Sequence, residues 1–322
     1  MTEPLDRRAM LRLAGGAVCA AAIGPLARHA SVQADEVAAT RTMPFGFSLY
    51  GLRGMPLVEA IELCRGIGYD AVELAALPDF PAEPRRFSAE DRVRVRKALD
   101  ANHVSLPSLM DNLPVQAEDA AHRQQLDRLK AVIDLGHDLL PDRPPLVETV
   151  LGGKPGGWDS VKTLFVERLG DWARLGAETR TVIAIKPHRM NALNTPVDAL
   201  WLLDQVNNPW LRLVYDYSHF EFRDFPLADT VRQLAPRSAM AHVKDTVLDG
   251  DKARFVLPGD GSTDYAALLA ALAAAGFGGC VMVEPSAQVF NKPGYDGPAA
   301  ARHCYERLAP RFTAAGVRRP GA

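Results

Sequence analysis

Three side chains with metal-binding or acid/base chemistry stand in or directly after short apolar runs of the sequence. They are Asp216, His242 and Glu284. A carboxylate at the end of a buried strand, or an imidazole within one, needs a partner or a bound cation. Two carboxylates and one imidazole form a hard donor set that suits Mn²⁺, Mg²⁺, Co²⁺ or Zn²⁺. These residues predict a site for one divalent metal, in which Glu284 is both a ligand and the general base.

Other polar residues near the ends of apolar runs are candidates for proton transfer. Lys186 ends one run, and His188 follows it by two residues. An imidazole there could orient the substrate or relay a proton near neutral pH, or it could be a solvated loop histidine. His219, three residues after Asp216, could act in the site or cap the next helix.

A further set of residues is placed to contact a substrate. Glu73, near the end of the second apolar run, could bind hydroxyl groups or play a structural role. Lys244 flanks the site and could instead pair with Asp245. Trp158 follows a glycine-rich segment and could form an apolar wall of the site. Glu148 could supply a further carboxylate, but strand alternation is expected to place it one layer too deep.

Short apolar runs alternate with longer amphipathic ones, and this alternation positions all of these residues. Each of eight predicted strands is followed by a predicted helix. The strands are 45–50, 70–74, 104–109, 146–151, 181–186, 211–215, 239–244 and 279–283, and the helices are 56–67, 88–102, 118–135, 160–177, 196–206, 227–234, 264–275 and 298–308. Eight such units in about 270 residues predict an α/β fold, a single-domain (β/α)8 TIM barrel.

The active site of a TIM barrel lies at the C-terminal ends of its strands, so the polar residues above would converge. A doubly wound sheet is the alternative architecture, and it would need a glycine-rich first turn. The first turn, residues 50–54 (YGLRG), lacks the pattern G-x-G-x-x-G. The barrel is therefore the favoured prediction.

The first 34 residues do not fit the strand–helix alternation. Arg7 and Arg8 precede a short apolar run, and Val32-Gln33-Ala34 offers small residues for cleavage. This layout resembles a twin-arginine export signal, and it predicts a periplasmic protein without a stable membrane anchor. A basic amphipathic N-terminus that arose by chance is the alternative. The predicted organisation is a leader (1–34), a linker (35–43), the barrel (44–312) and a C-terminal tail (313–322).

Composition limits the function classes. The chain has 322 residues, of which 48% are hydrophobic and 24% are charged, with a formal net charge of −2. These values are typical of a globular protein and give no electrostatic basis for binding nucleic acid. Four cysteines in this length do not indicate a disulfide scaffold.

Four segments resemble the xylose isomerase-like TIM barrel superfamily of sugar and sugar-phosphate isomerases and epimerases. They occur in the family's order at 214–219 (VYDYSH), 241–245 (AHVKD), 258–265 (PGDGSTDY) and 281–284 (VMVE). The resemblance covers about residues 44–312. It implies one divalent metal, held by Glu, Asp, His and Glu at the ends of strands 5 to 8. Asp216, His242 and Glu284 match three of these four positions.

The resemblance also implies roles for two further residues. His219 matches a position that lies near the substrate or adds a metal ligand in family members. Arg254 lies where family members often use an arginine to hold a substrate oxygen. Homo-oligomers are common in the family, so a homo-oligomer is a further expectation.

Lys186 occupies the strand 5 position, where the family has a metal-binding glutamate. Three interpretations follow from this departure. The metal could stay on three ligands, with Lys186 as an acid/base or oxyanion clamp. The ammonium could replace the metal, stabilise an enediolate or form a Schiff base. The barrel could also bind a sugar without catalysis, with Lys186 in a structural ion pair.

The function expected from these residues is an exported sugar isomerase or epimerase acting on a small carbohydrate, which could be a keto sugar. A base removes a proton next to a carbonyl, and a cation stabilises the enediolate. A keto-sugar lyase or dehydratase shares that first step. A periplasmic sugar-binding barrel is the non-catalytic alternative. The superfamily's apurinic endonucleases are disfavoured, because strand 3 lacks their extra histidine and the chain is not basic.

Overall fold

The computed structural model describes residues 42–320, and the predicted leader and most of the linker lie outside the described residues. Eight parallel strands close into a barrel in the order β1-β10-β7-β6-β5-β4-β3-β2. The barrel strands are β1 Phe45–Ser48, β2 Ala71–Ala75, β3 Ser105–Met110, β4 Leu146–Thr149, β5 Ile183–Ile185, β6 Leu211–Asp216, β7 Ser238–Val243 and β10 Val281–Val283. The predicted (β/α)8 TIM barrel is confirmed.

Helices follow the strands and cover the outside of the barrel. They are α1 Leu57–Ile67, α2 Ala89–Asn102, α3 Asp119–Leu139, α4 Trp158–Thr179, α5 Pro196–Val206, α6 Leu227–Leu234, α7 Tyr265–Ala274, α8 Ala287–Phe290 and α9 Gly297–Ala314. Local sequence explains their starts: Ser88 and Asp91 form a reciprocal capping box at α2, and Thr195 caps α5 with proline at its first position. Within residues 42–320, no helix is long and apolar enough to cross a membrane.

An antiparallel hairpin interrupts the strand–helix alternation after the seventh barrel strand. β8 Asp245–Asp249 pairs with β9 Lys252–Val256, and Gly250 supplies the turn with a φ of +60°. The sequence pattern predicts no strand or helix between strand 239–244 and helix 264–275, so the hairpin is not expected from it. The hairpin makes β10 the eighth strand of the barrel, and it stands over the C-terminal ends of the strands.

The C-terminal segment is anchored beside the N-terminal ends of the first two strands. Residues 313–320 belong to the segment predicted as a tail. Within it, Arg319 donates hydrogen bonds from Nε to Asp70 Oδ2 at 2.9 Å and from Nη2 to Asp70 Oδ1 at 3.1 Å. Asp70 also accepts a hydrogen bond from the backbone N–H of Phe45. The guanidinium lies over the rings of Phe45, Tyr305 and Phe312. Both partners of this ion pair are buried, with 7% and 4% of their side chains exposed.

Arg319→Ala should lower the free energy of unfolding by about 3–5 kcal/mol, because it leaves the buried carboxylate of Asp70 without its cation. Urea denaturation of the full chain measures the loss. Arg302→Ala, on the exposed face of α9, is the matched control and should change stability by less than about 0.5 kcal/mol. Equal losses in the two variants would contradict a role for the ion pair.

Candidate functional site

The site is a polar layer that lies directly on an apolar layer inside the barrel. Ala71, Ala184, Val214, Met240 and Met282 pack together as one buried cluster. Side chains two residues apart share a face of a strand, so the next inward position on each strand is i+2. Those next positions are Glu73, Lys186, Asp216, His242 and Glu284. On five strands the inward-facing side chains thus change from apolar to ionisable, and no more than 5% of any of these ionisable residues is exposed.

Lys186 stands at the centre of this layer. Its ammonium Nζ lies 2.6 Å from Glu284 Oε2, 3.0 Å from His242 Nδ1 and 3.5 Å from Glu148 Oε1. Burial disfavours the ammonium, but the charges of Glu148, Glu284 and Asp216 outweigh burial and raise the pKa of Lys186. The amine is therefore held protonated, which favours electrostatic stabilisation over Schiff-base chemistry.

Glu284 is surrounded by cations. Its Oε2 contacts both Lys186 Nζ and His242 Nδ1, the latter at 2.5 Å, and its Oε1 lies 2.9 Å from Lys244 Nζ. Burial alone would raise its pKa, but Lys186, Lys244 and His242 bring the pKa of Glu284 well below its ordinary value. A carboxylate held so strongly in its ionised form is a weak base.

Asp216 is held by the turn that follows β6. Its Oδ1 accepts hydrogen bonds from the N–H and the hydroxyl of Ser218, at 3.1 and 2.6 Å. Its Oδ2 lies 3.2 Å from Lys244 Nζ and 3.3 Å from His219 Nε2. Against the effect of burial, Lys244, His219 and Lys186 bring the pKa of Asp216 well below its ordinary value.

Glu73 lies beneath the other groups. Ser48 and Ser108 each donate a hydrogen bond to it at 2.7 Å, and His242 Nε2 lies 3.2 Å from its Oε2. The side chain is fully buried, so the structure does not bring Glu73 into reach of a substrate. Glu73 instead orients His242. Burial and Lys186 oppose the imidazolium, but Glu73, Glu284 and Glu148 raise the pKa of His242 to about 10.

A cavity of about 270 Å³ opens onto the polar layer. Of the predicted site residues, Lys186, His188, Lys244 and Glu284 line it, whereas Asp216, His219, His242 and Glu73 do not. The complete lining is Tyr50, Met110, Asn112, Glu148, Val150, Lys186, His188, Asn191, Lys244, Phe255, Glu284, Ser286 and Ala287. Four larger clefts in the described part of the chain, of about 470, 500, 360 and 480 Å³, include no residue of the polar layer.

Glu148 reaches the cavity, although strand alternation was expected to place it too deep. The reason is that its strand β4 ends at Thr149, so the glutamate lies at the top of the strand. Its Oε2 is buried and has no hydrogen-bond partner. Burial raises the pKa of Glu148 to about 7, although Lys186 and His242 act in the opposite direction.

The rings of the two histidines pack against each other at an angle of 45°. The rings of His188 and His219 lie 4.0 Å apart, with His188 on the cavity wall and His219 behind it. Burial and the neighbouring cations lower the pKa of both, that of His219 to about 4. The imidazoles are thus neutral at pH 7, and His188 can exchange hydrogen bonds with a ligand.

Two of the predicted substrate contacts point away from the cavity. Arg254 lies on the outer face of the hairpin, 3.6 Å from Asp249, because alternation along β9 turns its neighbour Phe255 inwards instead. Trp158 begins α4 and packs edge-on against Phe165 and Trp201 rather than facing the cavity.

Several residues of the cavity wall were missed by the sequence analysis. Tyr50 and Asn112 each lie two residues beyond a barrel strand, at the next inward position after Ser48 and Met110. Extending the two-residue period past each strand end would have found them. Asn191 belongs to the loop after β5, and its position carries no such periodic signal.

Phe255→Ala should raise the KM for a substrate about tenfold, because it removes the aromatic cover from the cavity. Arg254→Ala, the adjacent residue on the outward face, is the matched control and should change KM less than about twofold. Steady-state kinetics of the two variants measure the difference. A larger effect of Arg254→Ala would mean that the hairpin turns its other face to the substrate.

Metal-type donors are present in two overlapping groups. Donor atoms of Asp216, His242 and Glu284 lie within 4.8 Å of one another, as do those of Glu73, Glu148 and His242. The donor types suit a divalent ion. Their positions do not, because the ammonium of Lys186 contacts Glu284 and His242 at hydrogen-bond distance.

Comparison with known proteins agrees with this architecture. The structure of the IOLI protein with a binding zinc atom superposes with a TM-score of 0.70 at 20% identity, covering 85% of this chain and 98% of that chain. An L-ribulose 3-epimerase gives a TM-score of 0.66 at 17% identity, covering 85% and 96%. The 3-keto-D-glucoside 4-epimerase YcjR from E. coli gives 0.64 at 16% identity, covering 84% and 100%.

Sequence comparison identifies the family. No curated protein sequence matches the chain. The family model described as xylose isomerase-like TIM barrel matches residues 61–311, which span seven of the eight barrel strands and all of the polar layer. With most of its length matched by that model, the chain belongs to the xylose isomerase-like TIM barrel family.

Proposed function

We propose that this protein is an enzyme that removes a proton from a carbon next to the carbonyl group of a small keto carbohydrate. The observation that carries the proposal is the arrangement on the cavity wall. A carboxylate with an unpartnered oxygen, Glu148, faces the same cavity as the ammonium groups of Lys186 and Lys244. Proton removal needs a base at the carbon and positive charge at the carbonyl oxygen, and this wall offers both.

The division of labour follows from the partners of each group. Glu148 acts as the base, because its pKa of about 7 combines basicity with a large ionised fraction at neutral pH. Glu284 is the base expected from the sequence, but it suits the role less well, because nearby cations outweigh burial and bring its pKa well below its ordinary value. Lys186 and Lys244 stabilise the oxyanion, and His188 and Asn191 offer hydrogen bonds to hydroxyl groups.

The size of the cavity and the structural relatives support a sugar substrate. A volume of about 270 Å³ falls just below the range of about 300–1,000 Å³ of pockets for drug-sized ligands, and it suits one sugar ring. Two superposed structures are described as an L-ribulose 3-epimerase and a 3-keto-D-glucoside 4-epimerase. Epimerisation, isomerisation and elimination share the first proton transfer, and epimerisation is the outcome that we propose.

Proton exchange with solvent tests the proposal. The protein is incubated in D₂O with ketopentoses, ketohexoses and 3-keto-glucosides, and deuterium at the carbon next to the carbonyl is followed by NMR. We expect incorporation at one stereocentre with at least one sugar. If a sugar raises the melting temperature but no sugar of this panel exchanges its proton, the protein is a sugar-binding barrel and the proposed enzymatic activity is wrong.

We also propose that the enzyme is exported to the periplasm. The basis is the sequence of residues 1–34, with Arg7 and Arg8 before the apolar run. Expression with Arg7 and Arg8 both replaced by lysine should retain the full-length chain in the cytoplasm. The unchanged chain should yield a periplasmic product that begins at Asp35. Periplasmic product from both chains would contradict this route.

A further inference from the structure

The carboxylates and the histidine of the polar layer already hold cations that belong to the chain. We propose that the ammonium groups of Lys186 and Lys244 take the place of a divalent metal ion in this site, so that the enzyme stabilises its oxyanion without a bound metal. The catalytic consequence rests on the proposed function. The statement that cations of the chain already contact the donor atoms follows from the geometry alone.

Both oxygens of Glu284 are already in contact with cations of the chain. Lys186 Nζ and His242 Nδ1 share its Oε2 at 2.6 and 2.5 Å, and Lys244 Nζ lies 2.9 Å from its Oε1. His242 is equally engaged, since its other ring nitrogen faces Glu73 at 3.2 Å. A metal ion would have to displace an ammonium from both of these residues.

Each donor group keeps one unpartnered oxygen. Asp216 gives its Oδ1 to Ser218, and its buried Oδ2 faces Lys244 and His219 without a hydrogen bond. In the second donor group, the carboxylate of Glu73 accepts hydrogen bonds from Ser48 and Ser108, and Glu148 keeps an unpartnered Oε2. One free oxygen in each group does not make a metal site.

The balance of charge leads to the same result. Lys186, Lys244 and His242 face four carboxyl groups, those of Glu73, Glu148, Asp216 and Glu284. A divalent ion would place two further positive charges beside the ammonium groups of Lys186 and Lys244, in a site that is almost completely buried. Like charges repel strongly in such surroundings, and a lysine attached to the barrel cannot diffuse away to relieve the repulsion.

Both ammonium groups are also placed to act on a ligand. Lys186 and Lys244 line the cavity, and each keeps N–H donors that can turn from Glu284 towards a carbonyl oxygen. They supply positive charge and hydrogen bonds where a metal ion would supply coordination. Removal of trace metal should therefore leave the enzyme unaffected.

Metal titration tests this inference without any sugar. Wild type and Lys186→Glu are stripped with EDTA, dialysed and titrated with Zn²⁺ and Mn²⁺ by calorimetry and elemental analysis. We expect no stoichiometric site in the wild type. Lys186→Glu should bind about one equivalent of metal, with an affinity about 100-fold higher than that of any weak binding to the wild type. Adding His242→Ala to Lys186→Glu should abolish that binding. If Lys186→Glu does not fold, Lys186→Gln replaces it in the titration. The neutral amide oxygen of glutamine lies at the same distance along the side chain as a carboxylate oxygen of glutamate.

Two results would overturn the inference. One is a stoichiometric metal in the wild type that is lost in His242→Ala. The other is a folded Lys186→Glu or Lys186→Gln chain that binds no metal, because the lysine would then not stand in a metal's place. Exchange in D₂O separates this inference from the proposed function. Exchange that depends on added metal refutes only the inference, whereas absence of both exchange and metal refutes only the function.

Discussion

Replacing Lys186 by alanine should lower the rate of proton exchange in D₂O about 100- to 1,000-fold, the usual cost of removing a preorganised donor from an oxyanion site. The ammonium lies on the cavity wall in contact with Glu284 and Glu148. Its charge is available as the carbonyl oxygen becomes negative, and no other group needs to move. The comparison of wild-type and variant rates, each per mole of folded protein, measures the effect.

The same substitution also breaks a buried ion pair, so a loss of about 3–5 kcal/mol in stability is expected. Chemical rescue separates catalysis from folding. A small alkylammonium ion can enter through the cavity and occupy the space that the side chain leaves, and it should restore part of the exchange rate in Lys186→Ala. Lys162→Ala, whose ammonium lies over the ring of Trp201 outside the cavity, is the matched control. A Lys186→Ala rate within about threefold of wild type would assign Lys186 a purely structural role.

The architecture of the protein follows from local patterns. Strand and helix periods extend over many residues, and they predict eight strand–helix units in the correct order. The polar layer can be predicted from the sequence in the same way, because apolar residues such as Val214 and Met240 are followed at i+2 by Asp216 and His242. Both signals depend only on near neighbours in the chain.

The partners of each site residue could not be predicted in the same way. That Lys244 reaches both Asp216 and Glu284 depends on how β7 aligns with its two neighbours in the closed barrel. The expectation that Glu284 is the general base took no account of those contacts. A residue's chemistry here is set by groups far away in sequence, which no local period encodes.

The hairpin shows a second limit. Its turn is signalled by Asp249-Gly250, but the choice between Arg254 and Phe255 as the inward residue depends on register. A shift of one residue would exchange them. Arginine is the more obvious ligand-binding residue by type, so reasoning from residue type alone favours the wrong neighbour.

Glu148→Gln should lower the exchange rate about 100- to 10,000-fold, the usual contribution of a general base. The amide keeps the shape of the carboxylate but cannot accept the substrate proton. The ionised carboxylate is disfavoured by burial, so its replacement by a neutral isostere should not lower the free energy of unfolding at pH 8. Loss of exchange without loss of stability distinguishes this residue from a structural one.

The pH dependence provides an independent test of the same residue. The charged and titratable groups around Glu148 are Tyr50 after β1, Glu73 on β2, Lys186 after β5, His242 on β7 and Glu284 after β10. Burial raises the pKa of Glu148 to about 7, so the carboxyl group is protonated below that value. Wild-type exchange should therefore increase from pH 6 to pH 8 and level off above about 8. The residual rate of Glu148→Gln should lack this rise.

The sign for stability is opposite to that for activity. A carboxyl group whose pKa is raised on folding stabilises the folded state below its unfolded value, near 4.5, and this contribution is lost as pH rises through about 7. Glu148→Gln should thus gain stability relative to wild type between pH 5 and 8.

Asp111→Asn is the matched control, because Asp111 is a buried carboxylate outside the 270 Å³ cavity that pairs with Arg128 at 2.7 Å. That variant should exchange protons at nearly the wild-type rate per folded molecule, because the side chain lies outside the cavity. If Glu148→Gln instead keeps both its exchange rate and the rise near pH 7, the base is another group.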